Sequence, residues 1–270
     1  MTYTIAMAGK GGTGKTTITG MLIEYLSEKS KGPILAVDAD ANENLHDVLG
    51  VDIEATLGDI REVVARAEDQ LENPIPSSMT KQEFLQYKLS NALTEEDNYD
   101  LLVMGRTQGK GCYCFVNDLL TAQLRKISSN YDYIVVDNEA GMEHISRGIL
   151  PAVDMVILVS DCSRRGIQAV GRIAEMVRTL NLNPSIMKLI VNRAPEGKLD
   201  PGIEEEIKKQ GLDLLGVLPH DAAIYEADCA GQPTATLPDT AAAKSALYPL
   251  LDELFKEAKE AQANKPLLFM

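Results

Sequence analysis

Short apolar runs alternate with longer amphipathic stretches along almost the whole chain. The runs are TYTIAMAG (2–9), ILAVDAD (34–40), DLLVMGR (100–106), YDYIVVDNEA (131–140), DMVILVSD (154–161), IMKLIVNR (186–193) and LLGVLP (214–219). They are continuous and rich in leucine and β-branched residues, with no strict apolar–polar alternation. That pattern predicts parallel strands buried on both faces. Helical periodicity covers 15–28, 117–128, 164–180 and 202–210, with a closing helix at 240–262. The βαβα order predicts an α/β fold, a doubly wound and mostly parallel sheet flanked by helices. Ligands are then expected at the carboxyl ends of the strands. One stretch departs from this rhythm: residues 56–98 read as two or three polar helices around Asn73-Pro74-Ile75-Pro76. With no linker, repeat or low-complexity tract in view, residues 1–270 are expected to form one domain with a helical insertion near 56–98.

Composition narrows the classes. The 270 residues are 45% hydrophobic, enough to bury a sizeable core. Forty acidic side chains against 26 basic ones leave a net charge of −14, which repels nucleic acid and anionic lipid alike. Neither partner is expected. Four cysteines, unevenly spaced, do not make a disulfide framework, and a reducing, cytoplasmic setting is expected. The chain opens directly into a strand without a charged leader, and no apolar run approaches 18 residues, so no signal peptide or membrane span is expected.

The candidate chemistry begins at Gly9-Lys10-Gly11-Gly12-Thr13-Gly14-Lys15-Thr16-Thr17, which closes a predicted strand and opens a predicted helix. In that setting G-x-x-x-x-G-K-T is a phosphate loop. Its glycines turn backbone N–H groups inward and the helix start adds its positive end. Lys15 is expected on the β- and γ-phosphates of a nucleotide and the Thr16 hydroxyl on Mg²⁺. Lys10 is a second lysine, placed early in the loop and away from the helix. From there it could reach a nucleotide held by a second subunit, as an arginine finger does.

GKGGTGKTT resembles the deviant Walker A motif of the MinD/ParA/nitrogenase-iron-protein class of dimerising P-loop ATPases, whose signature is the early lysine. The resemblance implies a face-to-face homodimer. It also implies roles at strand ends. Asp38 and Asp40 in VDADAN match switch I, where the second aspartate orients the attacking water and the first supports the Mg²⁺ shell. Asp137 in IVVDNEAG reads as the Walker B aspartate and Gly141 as the switch II glycine. A strand-end aspartate can equally be a helix cap or turn residue. Asn192 and Arg193, in LIVNRAP, match the place where the class recognises adenine, and Pro219 and Asp221, in LPHD, the second adenine-side segment. Ala194 and Pro195 stand where a guanine site would carry Lys-x-Asp, which favours ATP over GTP.

Cys112 and Cys114 follow a glycine-rich turn as Cys-x-Cys. In an extended segment residues i and i+2 point the same way, so both thiols can face one ligand. Two thiolates do not complete a four-ligand shell; a two-fold dimer supplies four, suiting tetrahedral Zn²⁺ or square-planar Ni²⁺. Buried cysteines also serve as small apolar residues. The run GCYCFVNDLL, with switch II written DNEAGMEHISRG, resembles CooC-type ATPases along the whole chain. Glu139 stands where MinD and ParA carry proline, and Glu143 and His144 continue the CooC-like pattern. This resemblance implies nickel insertion into carbon monoxide dehydrogenase or acetyl-CoA synthase. His144 reads either as an auxiliary ligand or proton acceptor or as a structural hydrogen-bonding residue of switch II. His46 and His220 carry no assigned role, Cys162 and Cys229 read as packing residues, and the C-terminal PLLFM is too short for a membrane-binding helix. Two other readings stay open: a MinD/ParA-like positioning ATPase, and an ATP-driven reductase like the nitrogenase iron protein.

Overall fold

All seven apolar runs supply strands to one sheet in the computed structural model, which describes residues 2–68, 75–105, 125–138, 153–180 and 182–263. The elements are β1 Tyr3–Gly9, α1 Lys15–Lys29, β2 Ile34–Ala39, α2 Leu45–Leu49, α3 Leu57–Glu68, α4 Lys81–Asn91, β3 Leu93–Glu95 and β4 Asp100–Val103. They continue with β5 Tyr133–Asn138, β6 Met155–Asp161, α5 Arg164–Thr179, β7 Ile186–Ala194, α6 Pro201–Lys209, β8 Leu214–Pro219, α7 Ala222–Cys229 and α8 Ala242–Ala263. The sheet order is β3-β4-β2-β5-β1-β6-β7-β8. Every neighbouring pair is parallel except β3–β4.

The continuous apolar runs follow from helices on both faces. Along β1, Ile5 and Met7 join one core and Ala6 and Ala8 the other; Val135 and Ile134 on β5 divide the same way. One core is completed by α1, α2 and α8, through residues such as Met21, Leu45 and Leu251. The other is completed by α3 to α6, through Leu57, Leu89, Val170 and Ile207. Successive side chains point to opposite faces, so Asp38 and Asp137 share the parity of Ala36 and Val135 and face α1. From β1 the chain crosses to β2 on one side, and after β5 it moves to β6 on the other. The carboxyl end of β1 therefore lies at the switch point, where doubly wound sheets bind ligands.

Residues 56–98 are not purely helical. They hold α3 and α4, and then the short antiparallel edge strand β3. Helix α4 starts on a capping box: Glu83 N–H donates to the Thr80 hydroxyl at 3.2 Å, and Thr80 N–H donates to the Glu83 carboxylate at 2.8 Å. Two further helices, α2 and α7, escape the periodicity because they are five and eight residues long. Of the helix expected at 117–128, residues 125–128 are helical and the rest lie outside the described residues.

Candidate nucleotide-binding site

The loop between β1 and α1 has a shape only glycine permits at three positions. A Cβ on Gly9 would meet the Val159 carbonyl oxygen at 2.2 Å, so β1 could not end so close to β6. Gly12 and Gly14 take φ of +79° and +88°, in the left-handed region. Gly14 is the N-cap of α1. Among the described residues no side chain caps that helix, and its first turn carries no acidic residue. Its leading N–H groups and dipole are thus left for an outside anion. Lys15 opens the helix and is buried, whereas Lys10 is exposed on the same loop. The Thr13 hydroxyl donates to the Lys10 carbonyl at 2.8 Å.

The end of β7 props this loop from behind. The Asn192 side-chain amide donates to the Thr13 carbonyl at 2.9 Å, and the Arg193 guanidinium donates to the Gly12 carbonyl at 3.1 Å. Arg193 N–H donates back to Asn192 Oδ1, and Arg193 itself sits at φ +58°. The register between β7 and β8 slips by one residue between Val191 and Ala194, a bulge that turns this pair onto the loop. A Cβ on Gly14 would lie 2.4 Å from the Asn192 amide nitrogen, so the contact needs glycine there.

Asp38 and Asp137 stand directly opposite each other on β2 and β5, and both are buried. Asp137 accepts from the Thr19 hydroxyl at 3.1 Å and is also hydrogen-bonded to the Thr16 side chain. Burial raises its carboxyl above the usual range, against the Thr16 bond and the Lys15 charge. Asp38 is pushed up to about 7, first by burial and then by the neighbouring Asp137 charge. Its two oxygens accept backbone N–H groups from Asp40, at 3.0 Å, and Leu45, at 2.9 Å. Asp38 therefore holds the loop that carries Asp40, whose own carboxylate accepts from Asn42 N–H at 2.9 Å. Carboxylates and a hydroxyl gathered beside Lys15 are hard oxygen donors, the set that suits Mg²⁺.

Two cavities meet over this site. One of about 650 Å³ runs along the phosphate loop past Lys15, Thr16 and Asp40. The other, of about 360 Å³, has apolar walls of Ile18, Met21, Leu218, Pro219 and Ile224, with Tyr225 at its rim. Asn192, Arg193 and Asp221 line it as well. Asp221 carries a second duty: its carboxylate accepts from Ala223 N–H and Ala243 N–H, each at 2.9 Å, and so caps α7 and the start of α8. Thr234, Tyr225 and Asp228 also line the cavities, and sequence reasoning missed all three. Tyr225 had a signal, since it stands four residues after Asp221 on one helix face. The loop bearing Thr234 had none.

Cys112 and Cys114, and the switch II residues Glu139, Gly141, Glu143 and His144, lie outside the described residues. Of the other cysteines, Cys162 is half-buried and Cys229 exposed, and both are free thiols. Among the described residues no group of three or more His, Cys, Asp or Glu side chains is placed to hold a metal ion. Nor is any described helix long and apolar enough to cross a membrane.

The family described as an AAA domain matches residues 2–189, from β1 into β7. The chain belongs to that family, as a P-loop ATPase of the MinD/ParA class. Among the relatives of this ATPase, an uncharacterized ATP-binding protein of Methanocaldococcus jannaschii is 41% identical over 87% of this chain and 91% of its own length. The carbon monoxide dehydrogenase accessory protein CooC of Rhodospirillum rubrum is 33% identical over 84% of this chain and 87% of its own. Among solved structures, the septum site-determining protein MinD of Pyrococcus horikoshii, complexed with Mg-ADP, superposes with a TM-score of 0.69. It is 25% identical, and the match covers 97% of this chain and 99% of that one.

Proposed function

We propose that this ATPase works as a homodimer that couples ATP binding and hydrolysis to nickel delivery, with carbon monoxide dehydrogenase or acetyl-CoA synthase as the acceptor. The observation that carries this reading is the likeness to CooC over most of both chains, in a sequence that contains Cys112-x-Cys114. In it, Lys15 supplies the counter-charge for the β- and γ-phosphates, and the glycines of the loop present N–H groups to their oxygens. Thr16 and Asp137, with Asp38 behind them, would hold Mg²⁺, which when bound neutralises charge on the phosphates. Asp40 orients the attacking water. Lys10, exposed on the loop, reaches the nucleotide of the second subunit. Asn192, Arg193, Pro219 and Asp221 wall the base side. Cys112 and Cys114 of two subunits offer four thiolates to Ni²⁺ or Zn²⁺ as cargo.

Titration of the protein with Ni²⁺ or Zn²⁺, with mass followed by light scattering, tests the proposal. One ion per two chains, about 0.5 per chain, is expected from a site shared across a two-fold axis. Cys112→Ser should collapse tight binding, because a serine hydroxyl stays protonated near neutral pH. One ion per chain, or unchanged affinity in that variant, removes the shared site. The fold likeness to MinD favours a second reading, a positioning ATPase that binds a surface. ATP-dependent cosedimentation with liposomes or DNA would establish it, against the repulsion expected from a −14 net charge.

A further inference from the structure

Thr234 lies in the turn between α7 and α8 and is only 4% exposed, yet its hydroxyl has no hydrogen-bond partner among the described residues. An orphaned buried hydroxyl costs stability unless something outside the chain satisfies it. The backbone around it is pinned. Ala235 N–H donates to the Val48 carbonyl at 3.0 Å, and Gln232 N–H donates to the Ala227 carbonyl at 2.8 Å. Thr234 also lines both cavities of the site, as do Thr17, Arg193 and Asp228. These four residues surround the place where the phosphate-side and base-side spaces join. A nucleotide with its phosphates on the loop and its base against Pro219 has its sugar at that join.

The chemistry there matches a sugar diol. Asp228 brings an exposed carboxylate, an acceptor for hydroxyl protons. Thr234 brings a hydroxyl that both donates and accepts, and a turn about one side-chain bond exchanges its oxygen and methyl positions. The Arg193 guanidinium is already committed to the Gly12 carbonyl. We propose that Asp228 and Thr234 form a ribose subsite that selects ribonucleotides over 2′-deoxyribonucleotides. The proposal rests on the cleft being the nucleotide site, and the test separates the two.

Calorimetry with ATP and with 2′-deoxy-ATP, both with Mg²⁺, is run on the full chain and on Asp228→Ala and Thr234→Val. The wild type is expected to bind 2′-deoxy-ATP about tenfold more weakly, the scale of one hydrogen bond to a charged group. Asp228→Ala should weaken ATP towards the 2′-deoxy-ATP value and leave the latter nearly unchanged, shrinking the ratio to within about twofold. Thr234→Val keeps the side-chain shape, so it should also narrow the ratio while leaving the melting temperature equal or higher, because it removes an orphaned polar atom. A threonine with a purely structural role would move the melting temperature and not the ratio. Equal affinities in the wild type, or an unchanged ratio in both variants, overturn the subsite. If the wild type binds neither nucleotide, the nucleotide site itself is refuted.

Discussion

Replacing Asn192 by alanine separates two roles that its position allows. The residue lines the base-side cavity, where a contact to adenine is expected, but one of its amide N–H groups is already given to the Thr13 carbonyl. An amide carries two such donors, so the second remains for the base. Removal of the side chain leaves the Thr13 carbonyl and the Arg193 N–H without their partners, at a position only 8% exposed. The buried Thr13 carbonyl so orphaned costs about 1–3 kcal/mol, and the N–H of exposed Arg193 less. The sum is roughly 2–4 kcal/mol after relaxation, and a chain of this size then melts roughly 5–10 °C lower. The loop also loses its strut. Affinity for inorganic tripolyphosphate, which has no base, should therefore fall about tenfold alongside that for ATP. Calorimetry with ATP, GTP and tripolyphosphate on wild type and Asn192→Ala measures this directly. A loss confined to ATP, with tripolyphosphate and melting temperature untouched, would refute the strut and leave Asn192 as a base reader alone.

Gly9→Ala should destabilise the fold by at least about 2 kcal/mol, because its Cβ would meet a backbone carbonyl at 2.2 Å and β1 must separate from β6; chemical denaturation at the wild-type midpoint would contradict it. Under the proposed role in trans, Lys10→Ala, at an exposed position, is expected to lower ATP turnover about tenfold or more while binding changes little. Wild-type turnover in that variant would end the role in trans. Asp38, ordinarily near 3.8, is held up to about 7, so between those values the folded chain keeps a proton that the unfolded chain has released. Its contribution to stability is thus greatest at low pH and declines as pH rises towards 7. Melting curves of nucleotide-free Asp38→Asn between pH 5 and 8 should show that decline flattened; identical slopes would exclude it.

Much of the fold was legible because burial on both faces writes itself into composition. Seven strands announced themselves as unbroken apolar runs, and the helices that cover them are long enough for their stripes to repeat. What escaped was short or local. Strand β3 is Leu93-Thr94-Glu95, three residues on an edge, with no apolar run to read. Helix α2 has five residues and α7 eight, fewer than the turns needed to establish a period. The start of α4 was legible in principle, since Thr80 and Glu83 are spaced as a capping box, yet the surrounding helix shows little amphipathic contrast.

The site divides along a similar line, between groups named by their spacing and groups placed by the packing of distant segments. Loop residues 9–17 follow one another, so their backbone conformation is encoded locally by Gly12 and Gly14. Asn192 could be named from its place at the end of a strand, but where its amide points depends on a one-residue bulge opposite β8. Asp221 looked like a base contact, and its two oxygens are engaged in capping two helices. Thr234 belongs to the site only because Val48, far away in sequence, receives the N–H of Ala235 and fixes the turn. The two lysines show the distinction within a single loop. Lys15 is buried, and its charge acts on Asp137 inside the subunit, whereas Lys10, five residues earlier, stays exposed. One loop thus carries one cation buried beside Asp137 within its own subunit and another left exposed. That division is what the proposed action in trans requires, and under that proposal Lys10 is the residue whose loss should separate turnover from binding.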